Sequence, residues 1–365
     1  MHKFLYDNAY VISIMMAIIL ELFDVKIWFK HHFPYGHILL IGFLVSFILT
    51  PEIREFAKKV NILDHPGGRK IQKEAVPLLG GVAIYAAFSL AIIQTLDFTL
   101  AMKGICIGAT MIFIIGILDD TIGLMAKTKL LGQIIAVLIM TNMGYWGGTE
   151  KQFIIIIWVI GITNAFNFLD GMDGLAAGLG AISAIYFTIL AVITHQQAIA
   201  IISVALAGAC LGFLIYNFSP ASIYMGDTGS TLIGFLLASI SMVGGWYQDE
   251  KQIIVSLSVP VLILGVLIFD MIMTSILRFI EGKVKTIPEL LAYAGRDHIH
   301  HRIQKSGISS VNTVLFIYII SALSGLLAFF VRSMDNFSRI ITLILVFIIV
   351  VLAIIKMYKI EKKYK

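Results

Sequence analysis

Apolar runs dominate the chain, broken by short polar interruptions. They lie near residues 9–29, 35–51, 79–96, 101–118, 130–146, 153–168, 175–194, 197–216, 229–247, 253–276, 312–331 and 338–357. A helix that crosses a bilayer needs about 17–25 predominantly apolar residues. The pattern therefore predicts an all-α, polytopic integral membrane protein with about 10–12 transmembrane helices. The first run is the least regular, because Glu21, Asp24 and Lys26 interrupt it. Acids follow it instead of a small-residue cleavage signal, so it reads as a retained span and not a signal peptide. No separate soluble domain is left once the runs are removed. A single membrane domain over 1–365 is expected, with 1–35 as an extra N-terminal span.

The polar interruptions carry unusual residues. NAFNFLDGMDGL (Asn164–Leu175) sits between two apolar runs and holds Asp170 and Asp173, each followed by a glycine. If Asp173 opens the next helix, the two carboxylates lie within about one turn, roughly 5–6 Å apart at Cβ. Gly171 and Gly174 let the backbone come close to a ligand. One aspartate here would be an ordinary N-cap. Two, with Asn164 and Asn167 beside them, point to a site. Asp119 and Asp120 end the run 101–118. Adjacent acids at a helix C-terminus oppose the macrodipole, and an acid near the bilayer costs up to about 2.5–3.5 kcal/mol on insertion scales. Such a pair suits a divalent metal or general-base work. Lys127 and Lys129 follow, either facing the same pocket or snorkelling to the interface.

NFSPASIYMGDTGS (Asn217–Ser230) places Asp227 just before another apolar run, where it either caps the helix or ligates a cation. Asn217 is suited to a base or sugar edge. Asp270 lies inside the run 253–276, with Arg278 on roughly the same helical face; an ion pair and a site role are both open. Further on, GRDHIHHRIQ gathers His298, His300 and His301 between Arg296 and Arg302. No cysteine and no HExxH pattern accompanies them, so imidazole and guanidinium groups aimed at phosphate oxygens fit better than zinc. Upstream, Pro288 opens a short amphipathic helix expected at the interface. In DHPGGRKIQKEAVPLLGG (Asp64–Gly81), Arg69 and Lys70 are either phosphate contacts or part of a basic loop.

Composition and charge set the orientation. Only 13% of the 365 residues are charged, against about 25% in a soluble domain. The net charge of +5 is mainly a topology signal and calls for no nucleic acid. If both termini and alternate loops share one face, that face holds 20 of the 27 lysines and arginines, and it is the cytoplasmic one. Every polar cluster falls on that face, while the opposite loops are short and lack acid–glycine or histidine patterns. A divalent-cation or proton-coupled transporter would need acids near the midplane, and Asp270 alone fits. No internal repeat supports such an architecture. A lipid glycosyltransferase or lipid phosphatase is a second rival, but the polyprenyl glycosyltransferases carry their acids on the outer face. Cys106 and Cys210 lie in apolar runs and read as packing residues. In LAGACLG, Gly208 and Gly212 are spaced for a homodimer seam or for tight packing within the chain.

Taken together, DD after a span, NxxNFxDGxDGL, NxxPAxxxMGDTGS and HxHHR, in this order, resemble the polyprenyl-phosphate N-acetylhexosamine-1-phosphate transferase family. The resemblance covers about residues 36–357, and RDHIHHRI is similar to its GlcNAc branch. In the first cytoplasmic loop Gln72, Ala75 and Leu78 replace the histidine, proline and arginine that the family usually carries there. The resemblance implies transfer of HexNAc-1-phosphate from a UDP-HexNAc to undecaprenyl phosphate with Mg²⁺ (or Mn²⁺), releasing UMP. This would be the first membrane step of a cell-envelope polysaccharide, in a bacterial plasma membrane. It further implies Asp173 and Asp227 as metal ligands, and Asp119 or Asp120 as the group that deprotonates or orients the lipid phosphate. Lys129, His298, His300, His301 and Arg302 would stabilise developing charge. Asn167, Asn217 and Asp170, with Arg69 and Lys70, would hold the substrates.

Overall fold

The computed structural model describes residues 33–65, 75–93, 99–144, 148–246, 253–286, 289, 290, 293, 295 and 297–363. Those residues form thirteen α-helices and one short β-hairpin. In chain order they are α1 Pro34–Lys59, β1 Leu63–Asp64, β2 Val76–Pro77, α2 Gly80–Ile93, α3 Leu100–Ile122, α4 Ala126–Gly144 and α5 Gly148–Leu169. Then follow α6 Leu175–Ile193, α7 Gln197–Asn217, α8 Gly226–Val243, α9 Ile253–Ile263, α10 Gly265–Ile280, α11 Ile299–Lys305, α12 Ser310–Ser333 and α13 Asn336–Lys363. Among the described residues, α1, α3, α5, α6, α7, α8, α12 and α13 are long and apolar enough to cross a bilayer. The expected span 9–29, Arg69, Lys70, Pro288 and Arg296 lie outside the described residues.

One expected span is sharply bent. Residues 253–276 were predicted as a single helix, but α9 and α10 meet at Leu264 with a bend of 82°. Pro260 inside α9 has no N–H to give the helix ladder. Gly265 leaves room for Ser324 of α12, whose hydroxyl donates to the Leu262 carbonyl at 2.6 Å. The break is therefore held by a neighbouring helix, as backbone at membrane depth requires.

The bundle is organised around α7. This helix is apolar all round, the signature of a central element, and nearly every residue from Ile199 to Phe213 is buried. It packs on α1, α6 and α2, whereas α13 buries almost none of its apolar surface and presents it outward. The α1–α7 contact uses the glycines of LAGACLG. A Cβ on Gly208 would lie 2.3 Å from the Leu39 carbonyl, and one on Gly212 2.2 Å from the Phe43 carbonyl. The small-residue stripe thus serves packing within the chain. Gly212→Val should lower the thermal midpoint of the detergent-solubilised protein, in line with the about 1–3 kcal/mol typical of overpacking. Gly161→Ala, where a Cβ meets nothing within 4 Å, should leave it near wild type. Equal midpoints for both variants would contradict this packing.

Candidate active site

The first turn of α8 is where the conspicuous acids meet. Gly81 of α2 would place a Cβ 2.2 Å from the Gly229 nitrogen, and Gly116 of α3 one 2.5 Å from the Thr228 Cα, so both helices touch the α8 backbone directly. The Gly80 and Gly81 N–H groups donate to the carbonyls of Tyr224 and Met225 at 2.9 Å each. These contacts fix where Asp227 stands. Asp227 does not cap α8: it lies in the first turn, where the helix dipole favours an acid.

The cap comes from α3. Asp120 accepts hydrogen bonds from the N–H of Asp227 (2.9 Å), the N–H of Thr228 (3.0 Å) and the Thr228 hydroxyl (2.6 Å). Gly226, at φ +68°, makes room, since a Cβ there would sit 2.3 Å from the Asp120 carboxylate. Only glycine adopts that backbone readily. Asp119 faces differently. It accepts from the Leu124 N–H at 2.8 Å and pairs with the Lys129 ammonium of α4, which also donates to Asp227 at 2.8 Å. Asp119, Lys129 and Asp227 line one cleft with Gly116, Gln133, Thr231 and the side chains of Ile112 and Ile115. The two adjacent acids thus have separate tasks, one structural and one facing the cleft.

From α5, Asn167 donates to the Ser230 hydroxyl at 2.8 Å and also reaches the Asp227 carboxylate. Asn164 is tied to Gln133 at 2.9 Å, joining α4 to α5. Neither acid of the next turn caps α6, whose N-cap is Gly174. Asp173 accepts from the Ala221 N–H at 3.0 Å and is hydrogen-bonded by Tyr224, whose phenol is pushed up by burial and by the charges of Asp173 and Asp64. Asp170 has no hydrogen bond to its carboxylate among the described residues. Burial, with the charges of Asp227, Asp120 and Asp173, pushes it up to about 8. Asn217 is buried, accepting from the Gly174 N–H at 3.2 Å and donating to the Ile223 carbonyl at 3.0 Å. It braces the Asp173 turn from within the fold.

The histidines pack onto this turn. A Cβ on Gly171 would fall 2.7 Å from His300 Nε2, so the first glycine of DGMDG admits the imidazole. His298 stacks between Phe168 and His300, at ring separations of 5.9 and 6.0 Å, and His301 lies 4.2 Å from His300. His300 is 1% exposed, and among the described residues neither ring nitrogen has a partner. Burial and the neighbouring His301 and His298 hold it well below the usual imidazole range, so it is neutral at physiological pH.

Arg302 departs from the expectation that it meets phosphate. It is fully buried, donating to the Asp297 carbonyl at 2.6 Å and lying 3.8 Å from Glu281. The α10 acid pairs differently too. Asp270 binds His298 Nδ1 at 2.7 Å, while Arg278 forms a two-pronged pair with Asp297 at 2.9 and 2.7 Å. Burial opposes ionisation of Asp297, yet Arg278 and Lys283 hold its carboxyl below the usual range. The sequence reading passed over Gln133, Thr228 and Asp297. Gln133 stands one turn from Lys129 on the same face, a signal that was legible. Nothing local marks the Asp120–Thr228 contact.

Among the described residues no three His, Cys, Asp or Glu side chains form a metal cage on their own. The donor set still fits a hard cation that takes one or two carboxylates and completes its shell with other oxygens. Asp173 and Asp227 are carboxylates, and their charges add to burial in driving Asp170 toward protonation.

Two outcomes are expected. Asp120→Ala should cost about 1–2 kcal/mol, as loss of a helix cap does, and should speed amide exchange at Thr228–Thr231. Unchanged exchange there would count against the cap. The raised Asp170 means the folded chain binds a proton that the unfolded chain releases near 3.8. Without divalent ions, stability should therefore fall as pH rises from about 4 to about 8. Asp170→Asn should flatten that slope in thermal unfolding with a chelator present.

The geometry can be set beside known proteins. The glycosyl transferase family 4 model matches residues 102–245. A probable undecaprenyl-phosphate N-acetylglucosaminyl 1-phosphate transferase of Bacillus subtilis is 32% identical over 86% of this chain and 89% of its own length. A decaprenyl-phosphate N-acetylglucosaminephosphotransferase of Mycolicibacterium smegmatis is 31% identical over 78% of this chain and 80% of its own. A phospho-N-acetylmuramoyl-pentapeptide-transferase of Halalkalibacterium halodurans is 28% identical over 80% and 96%. The chain is thus a multi-pass membrane protein that belongs to the polyprenyl-phosphate N-acetylhexosamine-1-phosphate transferases of glycosyl transferase family 4.

Proposed function

We propose that the protein transfers HexNAc-1-phosphate, with GlcNAc as the sugar, from a UDP-sugar to undecaprenyl phosphate. The reaction would run at the cytoplasmic face of a bacterial plasma membrane and open a cell-envelope polysaccharide pathway. An oxygen of the lipid phosphate attacks the sugar-linked phosphorus. The bond from that phosphorus to the bridging oxygen breaks, UMP leaves, and the lipid carries a diphosphate-linked sugar. Both reactants are anions, so the site must align them and offset charge. The observation that carries this reading is the cleft in which Asp119, Lys129 and Asp227 stand beside Ile112 and Ile115. It joins groups that handle a phosphate to the start of an apolar path for a prenyl tail.

Roles follow from what each group has free. Asp120 is occupied in the α8 cap, which supports Asp119 as the carboxylate that takes or orients the lipid phosphate proton. Lys129 bridges Asp119 and Asp227 and meets phosphate oxygens when substrate enters. Mg²⁺ held by Asp173 and Asp227 would neutralise the diphosphate oxygens. Asn167 keeps Asp227 aimed at the cleft. Neutral His300, with both nitrogens unpartnered among the described residues, is suited to a hydrogen bond from the donor nucleotide. Arg302 acts as an internal brace.

The test uses purified protein, Mg²⁺, undecaprenyl phosphate and radiolabelled UDP-GlcNAc. Label should move into the organic phase with release of UMP. Asp119→Asn should lower the rate by about 10²–10⁴-fold, the range for general acid–base groups. Asp227→Asn or a chelator should abolish transfer. If folded, Mg²⁺-binding protein gives no lipid product with any UDP-hexosamine, the reading is wrong.

A further inference from the structure

Asp270 is a buried acid that neither the cleft nor the charge pairs beside it account for. It sits in the apolar body of α10, 2% exposed, with Phe269 before it and Met271 after it. An acid in such a setting is costly and calls for a partner. Arg278, on the same helix, is paired instead with Asp297 and lies 4.7 Å from the centre of the Tyr293 ring. Asp270 reaches across to the histidine segment with both oxygens. Oδ2 meets His298 Nδ1 at 2.7 Å, and Oδ1 accepts the Ile299 N–H at 2.6 Å. One carboxylate thus orients an imidazole ring and caps the first turn of α11, which carries His300 and His301.

An imidazole that donates from Nδ1 to a carboxylate keeps its proton on that nitrogen, leaving Nε2 as the edge offered elsewhere. The His298 side chain is 11% open. Its ring lies within 8° of parallel to His300, whose Nε2 rests against Gly171 beside Asp170. We propose that Asp270 is a positioning residue for the nucleotide-sugar site: it fixes the proton of His298 on Nδ1, so that Nε2 faces the UDP-sugar. This rests on the reaction proposed above and assigns Asp270 no contact with substrate.

Asp270→Asn separates the two tasks. The amide oxygen still accepts the Ile299 N–H, while the amide nitrogen now faces Nδ1 and favours the opposite tautomer. Protein labelled with ¹⁵N at histidine, assigned with His298→Gln, should show a protonated Nδ1 at His298 in the wild type. That proton should shift to Nε2 in Asp270→Asn. In the transfer assay, Asp270→Asn should raise the KM for the UDP-sugar by about 10–100-fold, the range seen when a metal-bound histidine loses its orienting partner. The KM for undecaprenyl phosphate should stay unchanged. The double variant Asp270→Asn/His298→Gln should lose no more than His298→Gln alone. A wild-type His298 protonated only on Nε2 would overturn the proposal, as would losses that multiply in the double variant. The spectrum requires no turnover. A wild type that transfers nothing therefore refutes the proposed reaction, while the tautomer still decides the role of Asp270.

Discussion

One carboxylate of α3 closes the N-terminus of α8, and the arrangement of the site depends on it. Helix starts leave N–H groups without intrahelical partners, and α8 has no side-chain cap of its own. Asp120 supplies the missing acceptor from another helix and so fixes the distance between α3 and α8. Asp119 and Asp227 then stand close enough to share Lys129. The neighbouring glycines leave the backbone no alternative seat, since Gly81 and Gly116 already touch it. Carboxylates that repel one another are held together by backbone packing and a helix cap, with one ammonium between two of them.

The histidine segment solves a related problem with buried pairs. Arg278, Asp297, Lys283, Glu281 and Arg302 form a connected set of charges beneath α11. Buried pairs of this kind add little net stability but penalise any other arrangement. Here they fix a seven-residue helix that lacks the length to hold itself. His298 and His300 thereby stack against the Asp170 turn, with the His301 ring tilted beside them.

Much of this was legible in the sequence. The apolar runs gave the spans because length and hydropathy dominate in a bilayer. The acid–glycine motifs stood out as a candidate site because carboxylates are rare in such surroundings. Other features depended on long-range partners that no local pattern reports. Asp119 and Asp120 looked equivalent until α8 took one of them. Asn217 and Arg302 looked like ligand contacts, but each is buried and bonded to backbone. Asp270 and Arg278 share a helical face, yet each found a better partner on the segment 297–299. The bend at Leu264 was hidden because Pro260 and Gly265 sit inside an otherwise continuous apolar run.

The burial of α7 from Ile199 to Phe213 bears on the order of assembly. Its main partners, α1, α2 and α6, all precede it in the chain, and chains are made from the N-terminus onward. The central glycine-mediated packing therefore needs no helix that is made after α7. Asp119, Asp120, Asp170 and Asp173 arrive with that first half, and Asp227 comes afterwards. The meeting of Asp227 with the earlier acids is thus completed late, on a frame whose principal helix contacts involve earlier helices.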